Sequence, residues 1–119
     1  MKKIYIVGAV SGVKNWKDKF IKAKARFEIH DREIKTPMDY PEGLTQKEYM
    51  KLSCESVFWA DILIVTPGWE SSGGTKAEVA LAKSYGCPIT FISRTSITTK
   101  IIYTNENQEV IEEDDPEFD

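Results

Sequence analysis

The stretch from Ala60 to Pro88, ADILIVTPGWESSGGTKAEVALAKSYGCP, constrains the fold more than any other part of the chain. Asp61 to Thr66 is a short, nearly unbroken aliphatic run. Runs without polar alternation suit a central parallel strand covered on both faces. A glycine- and serine-rich loop follows, then an alanine-rich helix and the approach to another strand. Such a loop sits over the carboxyl edge of the sheet, where open α/β sheets bind ligands. Trp69, Glu70, Ser71, Ser72 and the helix start around Gly73, Gly74 and Glu78 are therefore the first candidates for chemistry.

The rest of the chain supplies the layers around that strand. Lys3 to Val7 predicts a first strand, closed by Gly8 and the tight loop Ala9-Val10-Ser11-Gly12. A helix follows from near Asn15, with Trp16, Phe20, Ala23 and Phe27 on one face and Lys17, Lys19, Lys22 and Lys24 mostly off it, as a solvated face. The loop GAVSGVK has neither the GxxxxGK[ST] nor the GxGxxG spacing, which argues against a Walker-type nucleotide site. Glu33 to Thr36 predicts a second strand stopped by Pro37, and the loop beyond it sends Asp39 and Tyr40 toward the same edge as Ser11 and Trp69. Thr45 and Glu48 form a capping-box pattern that opens helix two, which runs through Met50, Cys54, Val57 and Phe58 toward Ala60. Pro88 to Ser93 predicts a fourth strand, and Ile97 to Thr104 a fifth at the sheet edge. The alternation predicts an α/β sandwich with a mainly parallel sheet.

At 119 residues the chain is long enough for one core. We expect a single domain over residues 1–104, followed by a flexible acidic tail over 105–119. No apolar run approaches the ~20 residues a membrane helix needs. The N-terminus opens on a strand pattern and not on a signal segment, so a cytoplasmic protein without membrane partners is expected. Cys54 and Cys87 lack CxxC spacing and are read as buried thiols, and His30, in the polar stretch EIHDRE, as a surface-loop residue. With one histidine and no Cys/His cluster, neither a metal site nor a cofactor is expected. All 16 lysines and arginines lie at or before Lys100, where they face only 11 acids. A mildly basic body suits a small anionic ligand or simply a solvated surface. The spread of the lysines, with no basic run interleaved with stacking aromatics, argues against a nucleic acid polymer as partner.

Glu78 has two readings. In Thr75-Lys76-Ala77-Glu78 the pattern T-x-x-E is a capping box, with Thr75 as N-cap and the Glu78 carboxylate folded back on its amide. Alternatively, a carboxylate on the first turn of a helix beneath a glycine loop is held for attack on a substrate, and the helix N-terminus favours its ionised form. Trp69 is equally open: its indole either covers the end of the core or stacks on a base.

Ile4-Tyr5-Ile6-Val7-Gly8 with Ser11-Gly12, Ala60-Asp61 opening an aliphatic strand, and Ser72-Gly73-Gly74-Thr75-Lys76-Ala77-Glu78 with Ala80 and Ala82 together resemble the nucleoside 2-deoxyribosyltransferase superfamily. The resemblance covers about residues 3 to 92 and is strongest to a small, largely uncharacterised, phage-associated branch with a PGWE stretch followed by S-x-G-x-x-x-E, here Pro67 to Glu78. It implies a Rossmann-like, flavodoxin-like three-layer sandwich with a mainly parallel sheet of four to five strands. It implies that Glu78 attacks the anomeric carbon of a deoxyribosyl group, forming a glycosyl-enzyme ester as the base leaves, and that Tyr5 orients it. The transferases carry an aspartate on the sugar 5'-hydroxyl where this chain has Ser72; a serine there matches the related deoxynucleoside 5'-monophosphate N-hydrolases, which receive a phosphate.

The departures bear on function. The hydrolases' Gly-loop arginine and phosphate-binding serine are matched here by Ala9 and Ser11. The superfamily's second carboxylate would fall near Ser53, and Asp61, at the start of its strand, lies about 20 Å from the carboxyl edge. Asp39 and Glu70 remain as substitutes. The expected site is thus Glu78, Tyr5 and Asp39 for catalysis, with Gly8, Ser11, Gly12, Trp69, Glu70, Ser72, Gly73 and Gly74 around a nucleoside or nucleotide. By the same resemblance the chain forms a homo-oligomer, a dimer or higher. The alternatives are an inactive nucleotide-binding or sensing protein on this fold, and an interaction module whose PGWE loop meets a protein partner.

Overall fold

A computed structural model describes residues 2–28, 31–94, 99–104 and 109–114; His30 lies outside them. The element order is β1 (Lys2–Val7), α1 (Lys17–Phe27), β2 (Arg32–Lys35), α2 (Gln46–Trp59), β3 (Ile62–Val65), α3 (Gly73–Ser84), β4 (Ile89–Arg94), β5 (Thr99–Thr104) and β6 (Val110–Asp114), with single 3-10 turns at Pro37–Asp39 and Trp69–Ser71. The strands form one sheet in the order β2-β1-β3-β4-β5-β6. Its first four strands are parallel, and β5 and β6 are added antiparallel. This is the Rossmann-like three-layer sandwich, with one strand more than the expected four to five.

The extra strand comes from the acidic stretch. Val110–Asp114 pairs with β5 from Tyr103↔Ile111 and Thr104↔Val110 to Lys100↔Asp114, so these five residues form a strand within the stretch expected as a tail. Two β-branched residues, Val110 and Ile111, open the strand, and the exposed Glu112 and Glu113 suit a sheet margin, where charge discourages further pairing.

The aliphatic runs behave as two-sided strands. Tyr5 and Val7 of β1 and Leu63 and Val65 of β3 pack with Val57, Val79 and Ala82 on the side of α2 and α3. Their neighbours Ile4, Ile6 and Ile64 face the other way, onto Phe20 and Ala23 of α1. The predicted α1 stripe is the buried one: Phe20 and Ala23 are fully buried, with Trp16 and Phe27 packed at the margins. Helix α2 opens as its sequence predicts, with Thr45 Oγ1 accepting from Glu48 N and Glu48 Oε1 accepting from Thr45 N.

Strand β1 has β2 on one side and β3 on the other, so the chain leaving β1 and the chain leaving β3 diverge to opposite faces and open a crevice between them. The strand ends are clamped there, since Thr66 N and Thr66 Oγ1 both donate to Val7 O, at 2.9 and 3.0 Å. Gly8 is required for this approach, because a Cβ at that position would fall on the Thr66 hydroxyl, with Phe20 close behind. Gly8→Ala is expected to cost on the order of 2 kcal/mol by overpacking. In Thr66→Ala the same change is expected to cost less, by about 1 kcal/mol of coupling, measured in a double-mutant cycle by urea denaturation.

Candidate active site

The crevice holds a cavity of about 670 Å³. Four segments wall it: the loop after β1 with Trp16 and Lys17, the loop after β2 from Pro37 to Gly43, the start of α2, and the start of α3 down to Glu78. Of the residues expected from sequence, Gly8, Ser11, Ser72, Gly73, Gly74 and Glu78 meet in this wall. Tyr5 is fully buried beside Glu78, where burial first and the carboxylate's charge second disfavour ionisation of its phenol.

The others lie elsewhere. Asp39 is exposed and outside the wall; its Oδ2 accepts from Thr36 N at 2.9 Å, capping the 3-10 turn that Pro37 begins. Trp69 packs against Phe91 with ring centroids 5.4 Å apart, so its indole covers the end of the core and stands outside the cavity wall. Glu70 is exposed in the turn Trp69–Ser71, and Gly12 takes a left-handed φ of 74° in an exposed bend; neither reaches the wall. Ser53, where a second carboxylate was expected and not found, is buried and donates to Met50 O at 3.2 Å.

Helix α3 begins earlier than the T-x-x-E pattern suggests. Its N-cap is Ser72, whose Oγ accepts from Thr75 N at 3.2 Å and from Thr75 Oγ1 at 3.1 Å. Thr75 is thus inside the first turn, and Glu78 lies a turn deeper, with its carboxyl free of any capping role. Two consequences follow for its charge. The influence of the helix N-terminus fades beyond the first turn, and burial takes over: Glu78 is 2% exposed and its Oε2 has no hydrogen-bond partner. Desolvation lifts the carboxyl from 4.5 to about 7, with a hydrogen bond from Tyr5 pulling the other way. The expected ionised carboxylate is therefore replaced by one that titrates near neutrality.

Several wall residues were missed at the sequence level. Glu42, Gln46 and Tyr49 come from the loop after β2 and from the first turn of α2, and join Tyr40, which the sequence already sends to this edge. Gln46, Met50 and Ser53 share one helical face, and Met50 Sδ and Gln46 Nε2 lie against Gly74; that i, i+4, i+7 spacing was the available signal. Burial also holds the phenols of Tyr40 and Tyr49 in their neutral form, so the cavity floor offers hydroxyl donors. Glu42 is, among the described residues, the other carboxyl in the wall and Lys17 its cation. Among the described residues no group of three His, Cys, Asp or Glu side chains is placed to hold a metal ion, and no helix is long and apolar enough to cross a membrane.

A raised carboxyl pKa has a sign in stability. The folded state binds a proton that the unfolded chain releases near 4.5, so stability falls as pH rises from that value to about 7, by roughly 3 kcal/mol, and is flat above. Glu78→Gln is expected to remove this fall and to melt higher than the wild-type protein at pH 8, as read by thermal denaturation across pH 5 to 8.

Comparison with known proteins adds two findings. The fold is similar to that of a 2-desoxiribosyltransferase from Leishmania mexicana, with a TM-score of 0.65 at 20% identity, over 80% of this chain and 66% of that one. At that identity the likeness is one of fold, and the chain spans just under two thirds of that protein's length. No curated protein matches the sequence. The model of the family described as Domain of unknown function (DUF4406) matches residues 2–91, and on that match, over most of its length, the chain belongs to the DUF4406 family.

Proposed function

We propose that this protein cleaves or transfers the N-glycosidic bond of a 2'-deoxynucleoside or its 5'-monophosphate through Glu78. One observation carries the reading: a carboxyl buried to 2% exposure at a cavity wall, with one oxygen unpartnered and a neutral tyrosine beside it. A buried carboxyl oxygen left without a partner costs stability, and an orientation that gives no structural return is the mark of a group kept for chemistry. The fold likeness to a protein described as a 2-desoxiribosyltransferase supports the same class.

In this reading the ionised Glu78 attacks the anomeric carbon from the face opposite the base. The C–N bond breaks, its electron pair leaves with the base, and an ester joins sugar and protein. The departing base takes its proton from water, with Glu42, in place of Asp39 or Glu70, as the second carboxyl beside it. Water or a second base then attacks the same carbon and frees the carboxylate. Trp16, Pro37 and Met38 offer apolar surface to the base, and the Gly73 and Gly74 amides at the start of α3 lie where a 5'-hydroxyl or phosphate would accept from them. Completion of the site across a homo-oligomer belongs to the same proposal.

A second reading, a nucleotide-binding protein without turnover, is favoured by Ser53 and by the diversion of Asp39 to a cap. One experiment separates the two: incubation with the deoxynucleosides and their 5'-monophosphates, free base followed by chromatography, and Glu78→Ala as control. Base release that vanishes in the variant is expected. No release, with a nucleotide still raising the melting temperature, leaves the binder. Because only the carboxylate attacks, release is expected to fall as pH drops below about 7.

A further inference from the structure

The Tyr5 hydroxyl is hydrogen-bonded to the Glu78 carboxyl, and the hydroxyls of Tyr40 and Ser56 continue the chain of contacts from it. Tyr40 Oη donates to Tyr5 Oη at 3.0 Å and lies 2.6 Å from Ser56 Oγ. Ser56 Oγ also reaches Leu52 O, its i−4 carbonyl, at 3.0 Å, and Tyr40 Oη makes a longer 3.3 Å approach to the same oxygen. Tyr5 and Ser56 are sealed from solvent. Each hydroxyl carries a single proton, so the line has only two fully directed arrangements. In one, Ser56 donates to Tyr40, Tyr40 to Tyr5, and Tyr5 to a Glu78 carboxylate. In the other, a protonated Glu78 donates to Tyr5, Tyr5 to Tyr40, Tyr40 to Ser56, and Ser56 to Leu52 O. The bond that Tyr40 Oη donates to Tyr5 Oη belongs to the first, and the one that Ser56 Oγ donates to Leu52 O belongs to the second.

We propose that Ser56, Tyr40 and Tyr5 form a reversible hydroxyl relay ending on Glu78, in which Ser56 and Tyr40 are positioning residues that hold both protonation states of its buried carboxyl. Reversal needs only rotation about three C–O bonds once a proton from solvent has bound or left Glu78. The relay polarises toward the anion, since successive donors strengthen one another and the last meets a charge. It relaxes toward Leu52 O when that charge is lost, whether to a proton or to an ester bond. Its catalytic meaning rests on Glu78 being the nucleophile; its control of ionisation does not. Tyr49 and Cys54 of α2 also face the carboxyl and feel its charge, and Lys17 and Glu42 stand elsewhere in the cavity wall. None of them bonds to the line, although the Tyr49 ring meets that of Tyr40 edge-on at 5.6 Å.

The test is a direct titration of Glu78 by carbon-13 NMR in protein labelled at the glutamate carboxyl, with Glu78→Gln assigning the signal. Tyr40→Phe keeps the ring and removes the hydroxyl; its midpoint is expected to rise by about one unit. Ser56→Ala is expected to shift it the same way by less, and Tyr85→Phe, which loses a bond from Tyr85 to Val57 O elsewhere on α2, not at all. Midpoints within about 0.3 unit of the wild-type value in both Tyr40→Phe and Ser56→Ala, or lowered ones, overturn the relay. If Tyr40→Phe fails to fold, Ser56→Ala decides alone. Should the wild-type protein release no base, the enzyme reading falls and the titration still judges the relay; where it does release base, the acid limb of its pH profile moves with the midpoint.

Discussion

One carbonyl oxygen holds the centre of the molecule together. Val7 O accepts from both the amide and the hydroxyl of Thr66, which locks the carboxyl ends of the two middle strands side by side where the sheet changes direction. The lock leaves no volume for a side chain at residue 8, and beyond it the two chains must part. The crevice, the cavity and the position of α3 over it are consequences of that parting, since α1 and α3 pack on opposite faces of strands joined at this point.

The cavity's chemistry depends on a second constraint, the depth at which α3 begins. Ser72 starts the helix three residues before Thr75, and this moves Glu78 out of the first turn and into the interior. A carboxyl there gains little from the helix N-terminus and loses most of its hydration. What it meets in exchange is a floor of phenols and a serine, groups that donate or accept according to the charge above them. A lysine or arginine in their place would have held the carboxylate permanently ionised. Hydroxyls leave its charge open to change near neutral pH.

Much of the fold was legible because burial writes itself into pattern. The unbroken Ile62–Val65 run, the Trp16-Phe20-Ala23-Phe27 stripe and the Thr45/Glu48 box each emerged as the elements they predict. The placement of loop residues has a different cause. Asp39, Glu70 and Trp69 lie in loops at the correct edge, but a loop residue's direction is set by its local bonds: a cap on Thr36 for Asp39, the ring of Phe91 for Trp69. Val110–Asp114 was obscured by its acidic content, although a strand on the sheet margin needs only one dry face or none.

The sequence by itself determined the layer order and the parallel centre, because these follow from local periodicity, and it made Glu78 a candidate by its place on a helix after a glycine loop, with Tyr5 joined to it only by the family resemblance. Tertiary structure alone decided that Glu78 is uncapped and titrates near neutrality, that Glu42, Tyr40 and Tyr49 share its cavity, and that Ser56 and Tyr40 stand behind Tyr5. The reason is physical: desolvation and hydrogen-bond direction depend on groups 16 to 35 positions apart in the chain, and no local pattern encodes which of them will meet.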